Sequence, residues 1–204
     1  MPIRFLPPYW SRTQTEDRTV QFRTGWAKWK LVLPLFQNTI FSGHAGGCQG
    51  ANEEDTPAAF VRIGDVLRVQ NVSLWERYQN ARAGLKSLPR GITVLPLNEV
   101  PITVLPENFR SSSAADRILS ELDASVNEVF LFHGTTPSGA KHIIENGFDM
   151  ALSKDSNKFG LGAYFSENFC KANQYSVIPE EDSTEEKHVM LLCRCVMNAM
   201  LLLQ

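Results

Sequence analysis

No stretch of this sequence approaches the roughly 20 consecutive apolar residues of a membrane-spanning helix, and the opening MPIRFLPPYW lacks the long apolar core of a secretory signal. The expectation is a soluble intracellular protein, cytoplasmic or nuclear. Cysteine is scarce and poorly placed for staples. Cys48 and Cys170 stand alone, while Cys193 and Cys195 alternate along an apolar run, which fits neither a disulfide framework nor paired CxxC zinc knuckles. They read as reduced and structural. A surplus of one charge is missing too: 20 Lys and Arg stand against 22 Asp and Glu without a basic stripe, so nucleic acid is not supported as a partner.

The usual chemical signatures are also missing. FGLGAYF invites a nucleotide-loop reading, but Phe165 takes the third glycine position of GxGxxG, and no GKS or GKT marks a P-loop. There is no GxSxG elbow, and Cys170 with a distant His lacks a third orienting group for nucleophilic catalysis. His44 and Cys48 lie together in SGHAGGCQGANEED, an exposed Gly-rich loop, yet two residues cannot close a tetrahedral metal site. No metal is expected.

What is present suffices for one domain over 1–204, since 43% hydrophobic residues in a chain of 204 can bury one sizeable core. Prolines exclude long helix before Pro34, where PLFQNT opens a short one. VLRVQ alternates as a half-buried strand and runs into NVSLWERYQNARAGLK, a helix with capping-box spacing at Ser73 and Glu76 and one face of Leu74, Tyr78, Ala81 and Leu85. Trp75 and Tyr78 read as core packing. Residues 88–125 form an insertion: ITVLP occurs at 92–96 and 102–106 in a proline-rich extended segment, followed by a short helix capped at Ser113.

VFLFHGTTPSGAKHIIENGFD is the best-punctuated segment. A buried strand from Val129 to Phe132 leads to a helix with Thr136 as cap, Pro137 at its first position and Gly147 as the left-handed residue after its end. Phe148 should pack back on Ile143 or Ile144, and His142 reads as surface or packing. Next come KFGLGAYFSENFCKANQYS, an acidic linker PEEDSTEEKH, and VMLLCRCVM, a buried strand.

The phrases LFHGT, GFD, FGLGAYFSE and KANQYS, in that order, resemble the poly(ADP-ribose) polymerase catalytic family of histidine–tyrosine ADP-ribosyltransferases. LPPYWS, VLRVQNVSLWERYQ and VMLLCRCVM extend the resemblance from about Leu6 to about Met200, interrupted by the insertion. It implies an α+β ADP-ribosyltransferase fold, two splayed, mostly antiparallel sheets around an NAD cleft with flanking helices. The implied activity is transfer of ADP-ribose from NAD to an acceptor, with release of nicotinamide.

Carried over residue by residue, the resemblance implies that His133 and Tyr164 are catalytic. His133 would bond the ribose hydroxyls of NAD, Gly134 the nicotinamide carboxamide through its main chain, and Tyr164 and Tyr175 would sandwich the ring. Thr135, Phe165, Lys171 and Ala172 complete the cofactor-binding set. Two departures stand out. Ala172 sits where many relatives carry a hydroxyl, and the third signature residue would lie on a strand beyond Gln204, leaving the domain incomplete there. Glu180, Glu181, Glu185 and Glu186 read as a solvated linker, and Ser176 to His188 lacks the zinc-binding cysteines of tankyrase-like relatives. A protein acceptor is expected. The rival readings are a catalytically silent NAD or ADP-ribose binding module, an inactive fragment, and a transferase acting on RNA phosphate, against which the missing basic face counts.

Overall fold

The computed structural model describes residues 6, 10, 18–22, 64, 66–86, 122–153, 157, 160–176 and 188–197. The expected helices at Pro34 and Ser113, the His44–Cys48 loop, the repeated ITVLP and the acidic linker with Glu180, Glu181, Glu185 and Glu186 lie outside the described residues. The described residues fall into two compact units, one drawn from Met1–Val32, Gly64–Phe130 and Arg194–Gln204, the other from Leu131–Cys193.

In the first unit, β1 (Arg18–Phe22) pairs antiparallel with β2 (Val66–Gln70), in a register running from Arg18 opposite Gln70 to Phe22 opposite Val66. The expected strand VLRVQ is therefore present, but its burial does not follow hydropathy: Gln70 is buried and Leu67 is half exposed. β2 leads directly into α1 (Val72–Lys86). The cap is Asn71, not Ser73. Asn71 Oδ1 accepts the Leu74 N–H at 2.9 Å and its carbonyl accepts the Trp75 N–H at 3.0 Å, whereas Ser73 is exposed inside the helix. A side-chain acceptor three residues before the N–H it serves is the geometry of an N-cap, and it starts the helix two residues earlier than the capping-box reading. On the expected apolar face, Leu74, Tyr78 and Leu85 are half-buried, while Ala81 is exposed.

One buried carboxylate organises this unit. The Glu128 side chain has no solvent exposure; it accepts from the Tyr78 hydroxyl and from the Asp123 N–H at 2.7 Å, and pairs with Arg194 Nε at 3.1 Å and Arg82 Nη1 at 3.5 Å. The Arg194 guanidinium lies 5.7 Å from the Trp75 ring centroid and 5.8 Å from that of Phe130, close enough for cation–π attraction. Trp75 is stacked with Tyr78 at 5.6 Å and tilted against Trp10 at 5.9 Å. Burial, followed by the hydrogen bond to Glu128, pushes the Tyr78 phenol far above its ordinary pKa. At the end of α1, Lys86 pairs with Asp123, and with Ser125 it holds that carboxyl at about 2.

β3 (Glu128–Thr135) and β4 (Val189–Val196) form a second two-stranded sheet, and both strands contribute to both units. β3 is longer than the expected buried run and carries His133, Gly134 and Thr135 within it. Burial pushes the Cys195 thiol up to about 12, so it stays protonated at neutral pH, consistent with a structural rather than a reactive cysteine. In the second unit β3 is followed by α2 (Pro137–Asn146), and later by α3 (Phe169–Asn173). α2 has the expected punctuation: Thr136 Oγ1 accepts the Gly139 N–H at 3.2 Å, Pro137 opens the helix, and Gly147 N–H closes on the Ile143 carbonyl at 2.8 Å. Gly147 has φ 86° but ψ −177°, an extended glycine-only conformation rather than the left-handed helical one. Among the described residues no helix is long and apolar enough to cross a membrane.

Removing the central carboxylate should be costly because it strands two guanidinium groups that are themselves largely buried. Glu128→Ala is expected to cost about 3–5 kcal/mol in urea denaturation. Tyr78→Phe, which removes only one donor while Arg194 and Arg82 still meet the same carboxylate oxygen, should cost less, about 1.5–3 kcal/mol, the worth of a hydrogen bond to a charged group. A loss below about 1 kcal/mol for Glu128→Ala would show that the cluster is not the anchor of this unit.

Candidate active site

β3 sets the site because neighbouring side chains on a strand point to opposite faces. Phe132 is 1% exposed, with its ring edge-on to Phe169 at 6.0 Å, so His133 is directed to the other face. The free edge of the strand is met by the loop before α3. Phe132 N–H donates to the Ser166 carbonyl at 2.7 Å, and Ser166 N–H returns to the Phe132 carbonyl at 2.9 Å.

One residue further along, His133 Nδ1 lies 2.8 Å from the Tyr164 carbonyl oxygen. A carbonyl only accepts, so Nδ1 carries the hydrogen, and in the neutral imidazole Nε2 is left as an acceptor. Two phenyl rings wall the imidazole. Phe148 meets it edge-on at 5.0 Å, Phe165 is tilted at 5.6 Å, and the two phenyl rings meet at 5.1 Å. Phe148 thus serves His133, a role that its position after Gly147 did not reveal.

Gly134 is constrained differently. Main-chain groups of alternate residues on an antiparallel strand face the same side, so the N–H and C=O of Gly134 face the edge that Phe132 gives to Ser166. Where a Cβ would stand, the Ala172 carbonyl of α3 already occupies the space, and Ser176 N is 3.4 Å away. That carbonyl also accepts the Tyr175 N–H at 3.1 Å. Ala172 is buried, and Ser176 is fully buried, with its Oγ at 2.7 Å from the Asn173 carbonyl, 2.9 Å from Asn173 Oδ1 and 3.0 Å from His188 Nδ1. Ser176 pins the chain immediately after Tyr175 and was not singled out from sequence.

The expected site residues therefore gather around two main-chain carbonyls. His133, Tyr164 and Phe165 meet at the carbonyl of Tyr164, and Gly134, Ala172 and Tyr175 at the carbonyl of Ala172. Both tyrosine rings remain accessible, Tyr164 at 38% and Tyr175 at 63%. The Tyr164 hydroxyl donates to the Gly160 carbonyl at 2.5 Å, and Lys171 Nζ lies 5.9 Å from the Tyr175 ring centroid while donating to Gln174 Oε1 at 3.0 Å. The Thr135 hydroxyl stands beside that of Thr136 over Gly139, at the start of α2. Among the described residues no group of three or more His, Cys, Asp or Glu is gathered as metal ligands.

In comparison with known proteins, the family model of the poly(ADP-ribose) polymerase catalytic domain matches residues 48–204.

The contact at Gly134 predicts an effect that needs no ligand. In Gly134→Ala the added methyl meets rigid main chain, not the end of a flexible side chain, so α3 must move away from β3. The expected loss is about 1–3 kcal/mol in thermal unfolding without ligand. Wild-type stability in this variant would mean that α3 does not press on the strand.

Proposed function

Since the chain belongs to the poly(ADP-ribose) polymerase catalytic domain family, whose domain uses NAD as its substrate and has the ADP-ribosyltransferase fold, we propose that it transfers ADP-ribose from NAD to a protein side chain. The observation that carries this reading is the 2.8 Å contact of His133 Nδ1 with the Tyr164 carbonyl. It joins the two signature residues in one site and leaves Nε2 as an acceptor for a ribose hydroxyl.

In this reading NAD lies against β3 in the second unit, beside His133 and Gly134. The nicotinamide carboxamide pairs with the N–H and C=O of Gly134, which face an edge rather than the neighbouring strand. The ring stacks between Tyr164 and Tyr175, each contact adding roughly 0.5–1.5 kcal/mol beyond burial, so the tyrosines orient the ring more than they drive binding. Phe165 acts through His133, while Thr135 and Lys171 flank the pocket. The glycosidic bond from ribose C1 to the nicotinamide nitrogen breaks with its electron pair leaving on nicotinamide. An acceptor nucleophile then bonds to C1 and gives up its proton to solvent. Positive charge on the ribose builds between these events, and holding the hydroxyls fixed through His133 limits the reorganisation needed to meet it.

Benzamide, which carries the carboxamide and ring of nicotinamide, tests the binding half. At 100 times its dissociation constant it should stabilise the protein by about 2.7 kcal/mol. His133→Ala should reduce NAD binding more than benzamide binding, because benzamide has no ribose. Ala172→Ser should tighten benzamide up to about tenfold by restoring a hydroxyl worth about 1 kcal/mol. No thermal shift of a folded sample at millimolar benzamide overturns the reading. Benzamide and NAD binding without transfer of labelled ADP-ribose assigns the chain to the silent binding-module class.

A further inference from the structure

The loop that carries Tyr164 is held by a side chain that the signature does not contain. Ser153, just after the 3-10 turn Met150–Leu152, accepts the Gly162 N–H on its Oγ at 2.8 Å and donates to the Gly162 carbonyl at 3.3 Å. Asn157 Nδ2 donates to the same oxygen at 3.1 Å. A hydroxyl has one donor and two acceptor sites, and all three of Ser153 are used within this loop. No apolar or purely accepting side chain of that size reproduces the set.

These bonds continue to the site without a gap. Asn157 also gives its carbonyl to the Gly160 N–H at 3.0 Å, forming a turn in which Gly160 has φ 84°. Gly160 in turn gives its carbonyl to the Tyr164 hydroxyl, and Tyr164 gives its own carbonyl to His133. Tyr164 is therefore fixed at both ends, its ring through Gly160 and its main chain through His133, and Ser153 clamps the residue between those two attachments. Tyr164 is 38% exposed, and Leu161, next to the clamp, is 62% exposed. Core packing thus contributes little to holding this loop, and hydrogen bonds carry more of the load.

We propose that Ser153 is a positioning residue for the Tyr164 loop, holding Gly160 to Tyr164 in the conformation that receives the nicotinamide ring. The ligand half of this inference rests on the function proposed above. The clamp itself can be tested without ligand. In Ser153→Ala the Gly162 amide loses its acceptor, so hydrogen exchange in a peptide spanning 160–165 should accelerate about tenfold, with exchange in β3 and β4 unchanged. Benzamide affinity should fall about five- to tenfold, and KM for NAD should rise more than kcat falls. Ser153→Thr, which keeps the hydroxyl, should restore both exchange and affinity, an outcome that a loss caused by general destabilisation would not produce. Leu152→Ala, a truncation of an exposed neighbour, should leave both unchanged.

Unchanged exchange and unchanged affinity in Ser153→Ala overturn the proposal, as does a loss in which β3 and β4 exchange faster to the same degree. Faster exchange over 160–165 in Ser153→Ala, with wild-type protein that binds no benzamide, upholds the clamp and removes the nicotinamide reading. Wild-type protein that binds benzamide, with an affinity indifferent to Ser153→Ala despite faster exchange, removes the positioning role and leaves that reading intact.

Discussion

The imidazole of His133 can face a ligand in only one tautomer once Nδ1 is committed to the Tyr164 carbonyl, and much of the second unit serves to keep that commitment. The bond spans 31 positions of sequence, so it requires strand and loop to be held in register independently. The double hydrogen bond between Phe132 and Ser166 does this from the adjacent residue, and the Phe132 ring against Phe169 ties the same strand to α3. Phe148 and Phe165 then limit ring rotation by contact. A main-chain acceptor behind the imidazole and apolar walls beside it hold His133 with Nε2 as its remaining acceptor.

Gly134 carries two demands that would conflict at any other residue. Its missing side chain admits the Ala172 carbonyl, and so brings α3 and Tyr175 up to the strand. Its main-chain groups, by strand parity, remain directed at the open edge. The resemblance pointed only to the Gly134 main chain as a ligand contact; the structure shows that the protein's own helix needs the missing Cβ. A substitution at this position therefore perturbs stability, and any effect on the binding proposed above must be measured separately from it.

Signals local to a few residues were legible, and those depending on distant partners were not. The Thr136, Pro137 and Gly147 punctuation of α2 and the presence of the strands VLRVQ and VMLLCRCVM needed only nearest neighbours to be read, but the buried strand expected of VMLLCRCVM is half-buried along its whole length. The start of α1 misled because two cap candidates lie within three residues, and Asn71, itself buried, outcompeted the exposed Ser73. In β2 the hydropathy alternation gave the element but not its buried face, since Gln70 is buried where Leu67 is not. Nothing in NEVFLF marks Glu128 as the meeting point of side chains that are 46 and 50 positions away. Ser153 and Ser176 were equally silent, because a serine in a loop has no sequence pattern that distinguishes a saturated hydroxyl from a solvated one.

The Glu128 cluster and the Tyr164 loop are held by different means. Glu128, without solvent exposure and paired to two guanidinium groups, is a cluster in which removal of one member leaves buried charge, so its disruption should be felt cooperatively. The Tyr164 loop is closed by hydrogen bonds at half-exposed positions, each of modest net worth because water competes for it. Such a loop can open locally at a free-energy cost well below that of global unfolding. In the reading proposed above, a ligand stacked on Tyr164 would share the work of ordering it, and the more the free protein is pre-ordered, the less affinity is spent on closing the loop. Hydroxyls in and around that loop, rather than the size of apolar side chains, are accordingly where small substitutions should separate affinity from stability.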